Sequence, residues 1–231
     1  MILTLEQANA ACNEAARRYY AERNRPFQGW GSDYTSRSKM PWFLETMDRA
    51  ALLLGLKADL SFCALWGRAM QETGAAWYDI EQKSDADCEA DYGYQTSTGR
   101  NLGNTQPGDG ARYKGRGVIQ ATGRDNYTKA GQRMGVHFVS NPDLIIGPEY
   151  SARFIHWYIV EEMPRRNHWC HCYDWLVDES LSLEERVYRV SACINWGFWQ
   201  PWNQYPAKEQ IHGFDMSLVY AQSLAQVLGV E

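Results

Sequence analysis

The chain has 231 residues, 45% of them hydrophobic, which is enough apolar surface for the core of one large domain or two small lobes. Its 23 basic and 28 acidic residues give a net charge of −5, which argues against nucleic acid as a partner and against charge-driven binding to an anionic membrane. Glu6 stands where a signal peptide keeps an apolar core, and no apolar run approaches the ~20 residues that span a bilayer. We therefore expect a soluble, monomeric protein, made in the cytoplasm without a signal peptide and without stable membrane association.

Helical patterns dominate the chain. Thr4 with Gln7, and Ser182 with Glu185, form capping-box patterns ahead of apolar stripes at helical spacing, and Asp215 is placed to cap the last helix. The predicted helices cover residues 4–22, 41–54, 59–73, 125–134, 148–162, 183–195 and 216–228.

Residues 80–122 lack a helical period, and we expect a small β-hairpin or an irregular region there. Gly115-Arg116-Gly117 predicts a tight turn that leads into a short extended segment, on which Gln120 and Thr122 project to the same side. No repeat or flexible linker interrupts the chain. The sequence therefore predicts a mainly α fold in a single domain, 1–231, with a possible small lobe at 80–122 and no separate binding domain.

Two motifs that suggest other chemistry fit poorly. The stretch His168–Cys172 holds four possible soft-metal ligands within five residues, but no second ligand pair lies at the spacing of a structural zinc site. Core cysteines are the better interpretation, and we predict no metal. The glycine-rich segment 108–123 lacks the lysine followed by Ser or Thr that a phosphate-binding loop requires.

Glu72 is the first candidate for catalysis, because it falls in the last turn of the third predicted helix, about 90° from the middle of the apolar stripe. Partial burial and the negative end of the helix dipole would both raise the pKa of its carboxyl group. A raised pKa suits a general acid. The alternative is a solvated glutamate at a helix end, which is the more common situation.

A second carboxylate is expected from the following loop. Glu81 lies nine residues beyond Glu72 and would occupy the opposite face of a continuous helix, so the two can share a cleft only if Thr73-Gly74 breaks the helix. Two carboxyl groups that flank a bond between sugars can hydrolyse it. If they lie about 6.5–9.5 Å apart, an attacking water fits between them and the configuration at the anomeric carbon of the sugar is inverted. The other acids within range are Asp85, Asp87, Glu89 and Asp91.

At this point the sequence resembles glycoside hydrolase family 19. The resemblance rests on QETG at 71–74, NLGNTQPGDGARYKGRGVIQATGRDNY at 101–127 and Ile194-Asn195 before Trp196-Gly197, and it covers residues 60–200. The run NTQPGD at 104–109 is similar to the bacteriophage endolysin branch of the family rather than to the plant chitinases.

The resemblance implies roles for particular residues. Glu72 matches the proton-donating glutamate, with Gln71 in place of the histidine that usually precedes it. Glu81 is similar in spacing to the base of the endolysin branch, while Glu89 competes for that role. The implied substrate-binding residues are Gln120, Thr122 (which holds the water), Asn126 and Asn195, with Tyr113 and Tyr127 flanking them.

Aromatic and basic residues complete the expected site. Trp196, Trp199 and Trp202 adjoin Asn195 and are the candidate walls for sugar rings, whereas Trp77 and the other tryptophans are expected in the core. Arg116 and Arg124 are expected to hold the glycine-rich loop by bonding carbonyl groups.

The function that these residues predict is hydrolysis of β-1,4 bonds in bacterial peptidoglycan by a lysozyme-like, two-lobed helical domain that needs no cofactor. Such an endolysin would reach the wall after release by another factor. The alternatives are a chitinase that uses the same acids on an N-acetylglucosamine polymer, and a non-catalytic cell-wall-binding module.

Overall fold

The structure is a computed structural model that describes residues 1–22, 39–166, 168, 170–196 and 207–230. Within these ranges the chain is mainly α-helical, as predicted, and no helix is long and apolar enough to cross a membrane. The helices are α1 (Leu5–Glu22), α2 (Met40–Leu54), α3 (Leu60–Glu72), α4 (Asp85–Tyr92), α5 (Ser97–Asn101), α6 (Asp109–Arg112), α7 (Arg124–Met134), α8 (Pro148–Trp157), α9 (Met163–Arg166), α10 (Cys172–Val177), α11 (Leu183–Trp196) and α12 (Phe214–Leu228).

Helix α3 lies at the centre of the fold. Residues 61–70 are all buried, because α11 and α12 pack against this helix. Asp59 caps its start by accepting hydrogen bonds from the amide groups of Ser61 and Phe62. Packing on every side makes α3 a rigid support for whatever its last turn carries.

A glycine sets the distance between α3 and α12. A Cβ atom at Gly67 would lie 2.2 Å from the carbonyl oxygen of Ser217 and 2.8 Å from the Cβ of Ala221. The two helices therefore touch through backbone at this point, and any side chain at position 67 would push them apart.

Most predicted helix ends are confirmed. The Thr4 hydroxyl accepts a hydrogen bond from the Gln7 amide while the Gln7 side chain accepts one from the Thr4 amide, which is the predicted capping box. Ser182 accepts from the Glu185 amide as expected. Asp215 is not a cap, because α12 begins one residue before it, after Gly213 in a left-handed conformation.

The helix predicted over 148–162 is interrupted. After α8, residues Tyr158–Glu162 form a π-helical turn, and α9 follows. Pro164 explains the change, because it has no N–H to donate to the carbonyl of Val160 and its ring crowds that carbonyl.

The segment 80–122 is more helical than expected, since it contains α4, α5 and α6. These helices have four to eight residues, too few to show a period in the sequence, and Ser84 and Thr96 cap the first two. The expected hairpin is present as a single antiparallel pair between Arg116 and Ala121, and Arg116 also pairs with Ile80.

Candidate active site

One cleft of about 520 Å³ collects most of the predicted site residues. The predicted residues that line it are Glu72, Glu81, Gln120, Thr122, Asn126 and Asn195. Further polar or aromatic residues that line it are Tyr92, Phe154, Tyr158, Arg166 and His212. The two candidate carboxylates therefore share one cavity, which is the arrangement that two-carboxylate hydrolysis requires.

Glu72 is the last residue of α3, and its side chain is 15% exposed. The predicted helix break follows it directly. Gly74, Ala75 and Ala76 all have positive φ angles of 56–61°, so the chain makes a left-handed turn of three residues. Left-handed alanine costs roughly 1–2 kcal/mol per residue, and the amide of Ala76 offsets part of this by donating to the Thr73 hydroxyl at 3.1 Å.

Arg68 is the residue that sequence reasoning missed at this end of the cleft. It lies one turn before Glu72, is 1% exposed, and forms an ion pair with the Glu72 carboxylate. Its guanidinium also donates to the Asn195 side-chain oxygen and, at 2.9 Å, to the carbonyl of His212. Burial lowers the pKa of Arg68 to about 9.

Asn195 completes the same cluster from α11. Its amide nitrogen donates to the carbonyl of His212 at 3.0 Å while its oxygen accepts from Arg68. Because both ends of the amide are engaged, the side chain has one orientation at the edge of the cleft. The end of α3, the end of α11 and the segment before α12 are thus joined at one point.

Glu81 is held from two directions. Its backbone N–H donates to the Gly115 carbonyl at 2.8 Å, and its Oε2 accepts from the Gly115 N–H at 3.1 Å. The Tyr92 hydroxyl donates to Oε1 at 2.9 Å, and Lys83 lies 3.5 Å from the same oxygen. Burial is the main reason that the pKa of Tyr92 is raised above its ordinary value, so the phenol remains a hydrogen-bond donor.

Glu89, the competing candidate for the base, has a different role. Its two carboxylate oxygens accept hydrogen bonds from the amides of Gly108 and Ala111, at 3.0 and 3.3 Å. It therefore stabilises the start of α6, where the helix dipole favours an anion. Glu89 does not line the cleft, and the geometry favours Glu81 as the second carboxylate.

Gln120 and Thr122 lie at the end of the hairpin at 116–121 and line the cleft, but the backbone that carries them is not the extended segment that was predicted. Gln120 has a φ angle of +52°, which replaces the expected strand with a left-handed residue. The Thr122 hydroxyl donates its proton to the Gln120 carbonyl at 2.8 Å, so its lone pairs face outward as acceptors. An acceptor at this position suits a water molecule that donates one of its hydrogens.

Asn126 is oriented by its neighbours. Its amide nitrogen donates to the Thr122 carbonyl at 2.8 Å, and its oxygen accepts from the guanidinium of Arg166. Arg166 itself lines the cleft and forms an ion pair with Glu162, which is 2% exposed. Arg166 was not predicted from the sequence, because its contact with Asn126 depends on how α9 follows the π-helical turn.

Tyr113 and Tyr127 do not bind at the cleft, and this expectation is corrected. They are 1% and 0% exposed, and their rings pack against each other with centroids 5.3 Å apart. The hydroxyl of Tyr113 donates to the carbonyl of Val139, and that of Tyr127 donates to the carbonyl of Lys114. These tyrosines are core residues beneath the loop.

Arg116 and Arg124 are structural, as expected. Arg116 donates to the carbonyls of Arg112 and Lys114 and pairs with Asp143. Arg124 forms an ion pair with Asp109, whose carboxylate also accepts from two backbone amides. Both arginines therefore hold the loop rather than face the cleft.

The tryptophan expectations have mixed outcomes. Trp199, Trp202 and the side chain of Trp196 lie outside the described residues, so their proposed contact with sugar stays a prediction. Trp77 is 46% exposed on the surface rather than in the core, because the left-handed turn before it directs the chain outward.

The stretch at 168–172 shows no metal-binding geometry. Cys170 and Cys172 are buried, whereas His171 is exposed and contacts Asp174. Across the described ranges no group of three or more His, Cys, Asp or Glu side chains could hold a metal ion.

The chain is similar to a known protein family. Residues 58–177, more than half of the chain, match the model of the chitinase class I family, glycoside hydrolase family 19. The acidic endochitinase Q of tobacco (Nicotiana tabacum) is 59% identical over 34 residues, which is 15% of this chain and only 13% of that enzyme's length.

Solved structures show the same fold. Chitinase C of Streptomyces griseus HUT6037 superposes with a TM-score of 0.51 at 18% identity, over 84% of this chain and 71% of that one. A bacterial family 19 chitinase superposes with a TM-score of 0.52 at 19% identity, over 85% and 89%. With Glu72, Glu81 and the Gln120–Asn126 loop all inside the matched segment, this chain belongs to glycoside hydrolase family 19.

Proposed function

We propose that the chain hydrolyses β-1,4 glycosidic bonds between N-acetylated amino sugars, with Glu72 as the acid and Glu81 as the base. The observation that carries this proposal is that both carboxylates line one cleft although they lie on opposite sides of a left-handed turn. Glu72 protonates the leaving oxygen, and Glu81 takes a proton from a water that attacks the opposite face of the sugar ring. Two carboxyl groups suffice for this chemistry without a cofactor.

The neighbours of each carboxylate fit its role. Arg68 fixes the direction of the Glu72 side chain at the cleft through their ion pair. Glu81 accepts hydrogen bonds from Tyr92 and Gly115, which fix the position of its carboxylate at the cleft. The Thr122 hydroxyl accepts a hydrogen bond from the attacking water and orients it.

We infer that the polymer is bacterial peptidoglycan and that the protein acts as a phage-type endolysin. Two features support this substrate. The run at 104–109 is similar to the endolysin branch of the family. Arg166 also lines the cleft: its Nε and Nη2 are bonded to Glu162 and Asn126, which leaves Nη1 for the carboxylates of peptidoglycan stem peptides, groups that chitin lacks. On this proposal the protein is a monomer that another factor releases to the wall.

A chitinase is the second candidate, since the family model and the similar proteins are chitinases by name. The same acids would then act on unsubstituted N-acetylglucosamine chains, and Arg166 would serve mainly to orient Asn126.

One digestion experiment separates the candidates. The protein and its Glu72→Gln variant are incubated with purified sacculi and with colloidal chitin, and new reducing ends are identified by mass spectrometry. New reducing ends from sacculi alone support the endolysin, with muramic acid indicating a muramidase and glucosamine a glucosaminidase. Soluble oligosaccharides from chitin alone establish the chitinase. Retention on sacculi without any new reducing end would overturn both proposals in favour of a binding module.

The stereochemistry is tested on a short soluble oligosaccharide from whichever polymer is cleaved. Proton NMR in the first minutes should show the α-anomer as the initial product of a β-linked substrate. Initial formation of the β-anomer would contradict the water-mediated role of Glu81.

A further inference from the structure

Three cysteines meet behind one wall of the cleft. Cys170 precedes α10, Cys172 begins it, and Cys193 lies in the last turn of α11. All three are 0% exposed, and the Sγ atoms of Cys170 and Cys193 are 2.8 Å apart. Cys172 also contacts the Cys193 thiol. A gap of this size needs less than an ångström of movement to reach the ~2.05 Å of a disulfide bond.

We propose that Cys170 and Cys193 are a disulfide-forming pair: reduced when the chain folds in a reducing cytoplasm, and oxidised by a glutathione-type disulfide when the unfolded chain refolds under oxidising conditions. Cys172 is the third thiol and stays reduced. The closed loop would run from residue 170 to 193 and contain α10 and most of α11. This inference does not depend on the substrate of the cleft.

The bond would act on the cleft through α11. Cys193 directly precedes Ile194 and Asn195, both of which line the cleft. Burial raises the pKa of Tyr158, another residue of that wall, and the three thiols lie close enough to add to the shift. A covalent link at Cys193 therefore fixes the end of the helix that presents Asn195 to Arg68.

The reaction is a two-step exchange. The Cys170 thiolate attacks one sulfur of glutathione disulfide, which forms a mixed disulfide and releases one glutathione thiolate. The Cys193 thiolate then attacks the Cys170 Sγ, which closes the protein disulfide and releases the second glutathione. The two protons leave the cysteines and reside on the two reduced glutathiones, so the exchange is balanced.

Burial makes this exchange slow in the folded chain. Desolvation raises the pKa of the Cys193 thiol well above its ordinary value, and the thiolate is the reactive species. The bond should therefore form while the chain folds rather than afterwards.

The test is a thiol map of the full chain. The reduced protein is unfolded, refolded in a buffer of reduced and oxidised glutathione, alkylated and digested for mass spectrometry. We expect a Cys170–Cys193 linked peptide and four alkylated cysteines out of the six in the chain. Six alkylated cysteines, or a link between Cys172 and Cys193, would overturn the assignment.

A variant pair tests the consequence for stability. The thermal midpoint of the oxidised protein should exceed that of the reduced protein by about 5–10 °C, as expected for a loop of this length. The difference should persist in Cys63→Ala, which changes another fully buried cysteine, and vanish in Cys193→Ala. An unchanged difference in Cys193→Ala contradicts the proposal, and if that variant does not fold, the wild-type thiol map decides alone.

Discussion

Arg68 and Glu72 form an ion pair across one turn of α3, with the guanidinium 1% exposed and also bonded to Asn195 and the His212 carbonyl. Glu72 is the only acidic partner of Arg68 among the described residues. One buried cation therefore links the candidate acid to two other segments of the cleft wall, and the first prediction concerns its removal.

Arg68→Met should lower kcat at least tenfold and destabilise the fold by about 3–5 kcal/mol, because it leaves the Glu72 carboxylate without its ion-pair partner and the Asn195 side-chain oxygen without its donor. Arg68→Lys should recover part of the stability and less of the activity, since an ammonium cannot reach all three partners at once. Steady-state kinetics and thermal melts measure both effects. Arg49→Met, on exposed pairs of α2, is the control and should change neither.

Glu72→Gln should fold with an unchanged circular dichroism spectrum and lose hydrolysis by about 10²–10⁴-fold, because an amide cannot donate an acidic proton. Reducing-end assays on the preferred polymer measure the loss. Glu45→Gln, an exposed glutamate on α2, should retain full activity. Wild-type turnover in Glu72→Gln would remove Glu72 from the mechanism.

Tyr92→Phe should lower kcat about tenfold without a comparable change in KM, because the hydroxyl positions Glu81 rather than the sugar. Glu81→Gln should lose far more activity in the same assay. Tyr94→Phe, which changes a neighbouring tyrosine whose hydroxyl accepts from Gln95, serves as the control. Equal losses in the Tyr92 and Tyr94 variants would argue against a specific role for Tyr92.

Gly213→Ala and Gly229→Ala form a matched pair, since both glycines have left-handed φ angles of 70° and 65°. A Cβ at Gly213 would lie 2.4–2.6 Å from the side chain of Gln71, whereas a Cβ at Gly229 would meet nothing within 4 Å. Gly229→Ala should cost only the backbone strain of about 1–2 kcal/mol. Gly213→Ala should cost more and also reduce activity, because Gln71 adjoins Glu72. Equal melting curves and equal kcat values would contradict this.

Acid should destabilise the protein through Glu162. Burial raises the pKa of this carboxyl group, but hydrogen bonds from Arg165 and Arg166 and the charge of Lys129 outweigh burial and lower it from 4.5 to about 2. A depressed pKa gives stability that is complete above pH 4.5 and is lost as the pH falls towards 2, in all about 3 kcal/mol.

Urea melts between pH 7 and pH 2 measure this dependence. Glu162→Gln should be less stable than wild type at pH 7, and the difference should shrink as the pH approaches 2. Glu149→Gln, whose carboxylate is 54% exposed, is the control and should keep the wild-type dependence. A constant difference across the range would rule out Glu162 as the titrating group.

The parts of the fold that were predictable from sequence are those with long periodic patterns. The stripe around Phe62 predicted α3, and Gly55 and Gly74 marked helix ends that the structure confirms. Short helices such as α4 escaped prediction because eight residues hardly complete two turns. The π-helical turn was not predicted, because Pro164 disturbs the helix at the carbonyl of a residue four positions earlier in the chain.

The candidate site was predictable where its residues lie in the motifs that resemble glycoside hydrolase family 19. Arg68 could have been identified, because residues four apart lie on the same helix face. Arginine is rarely buried, however, so an arginine near an apolar stripe is normally assigned to the surface. Arg166 depends on tertiary packing between α9 and Asn126, for which the sequence has no signal. The burial of Tyr113 and Tyr127 also depends on tertiary packing, because an aromatic residue beside a loop can either line a binding cleft or pack in the hydrophobic core.

The left-handed turn at Gly74–Ala76 has a consequence for how this protein can vary. Its two alanines are 1% and 0% exposed, and the Tyr78 amide donates to the Thr73 carbonyl at 3.0 Å, so the turn is locked between the two carboxylates. The turn therefore fixes the length of chain between the two carboxylates, and it cannot accommodate an inserted residue. Adding or deleting one residue within Gly74–Ala76 should therefore abolish catalysis even if every helix still forms.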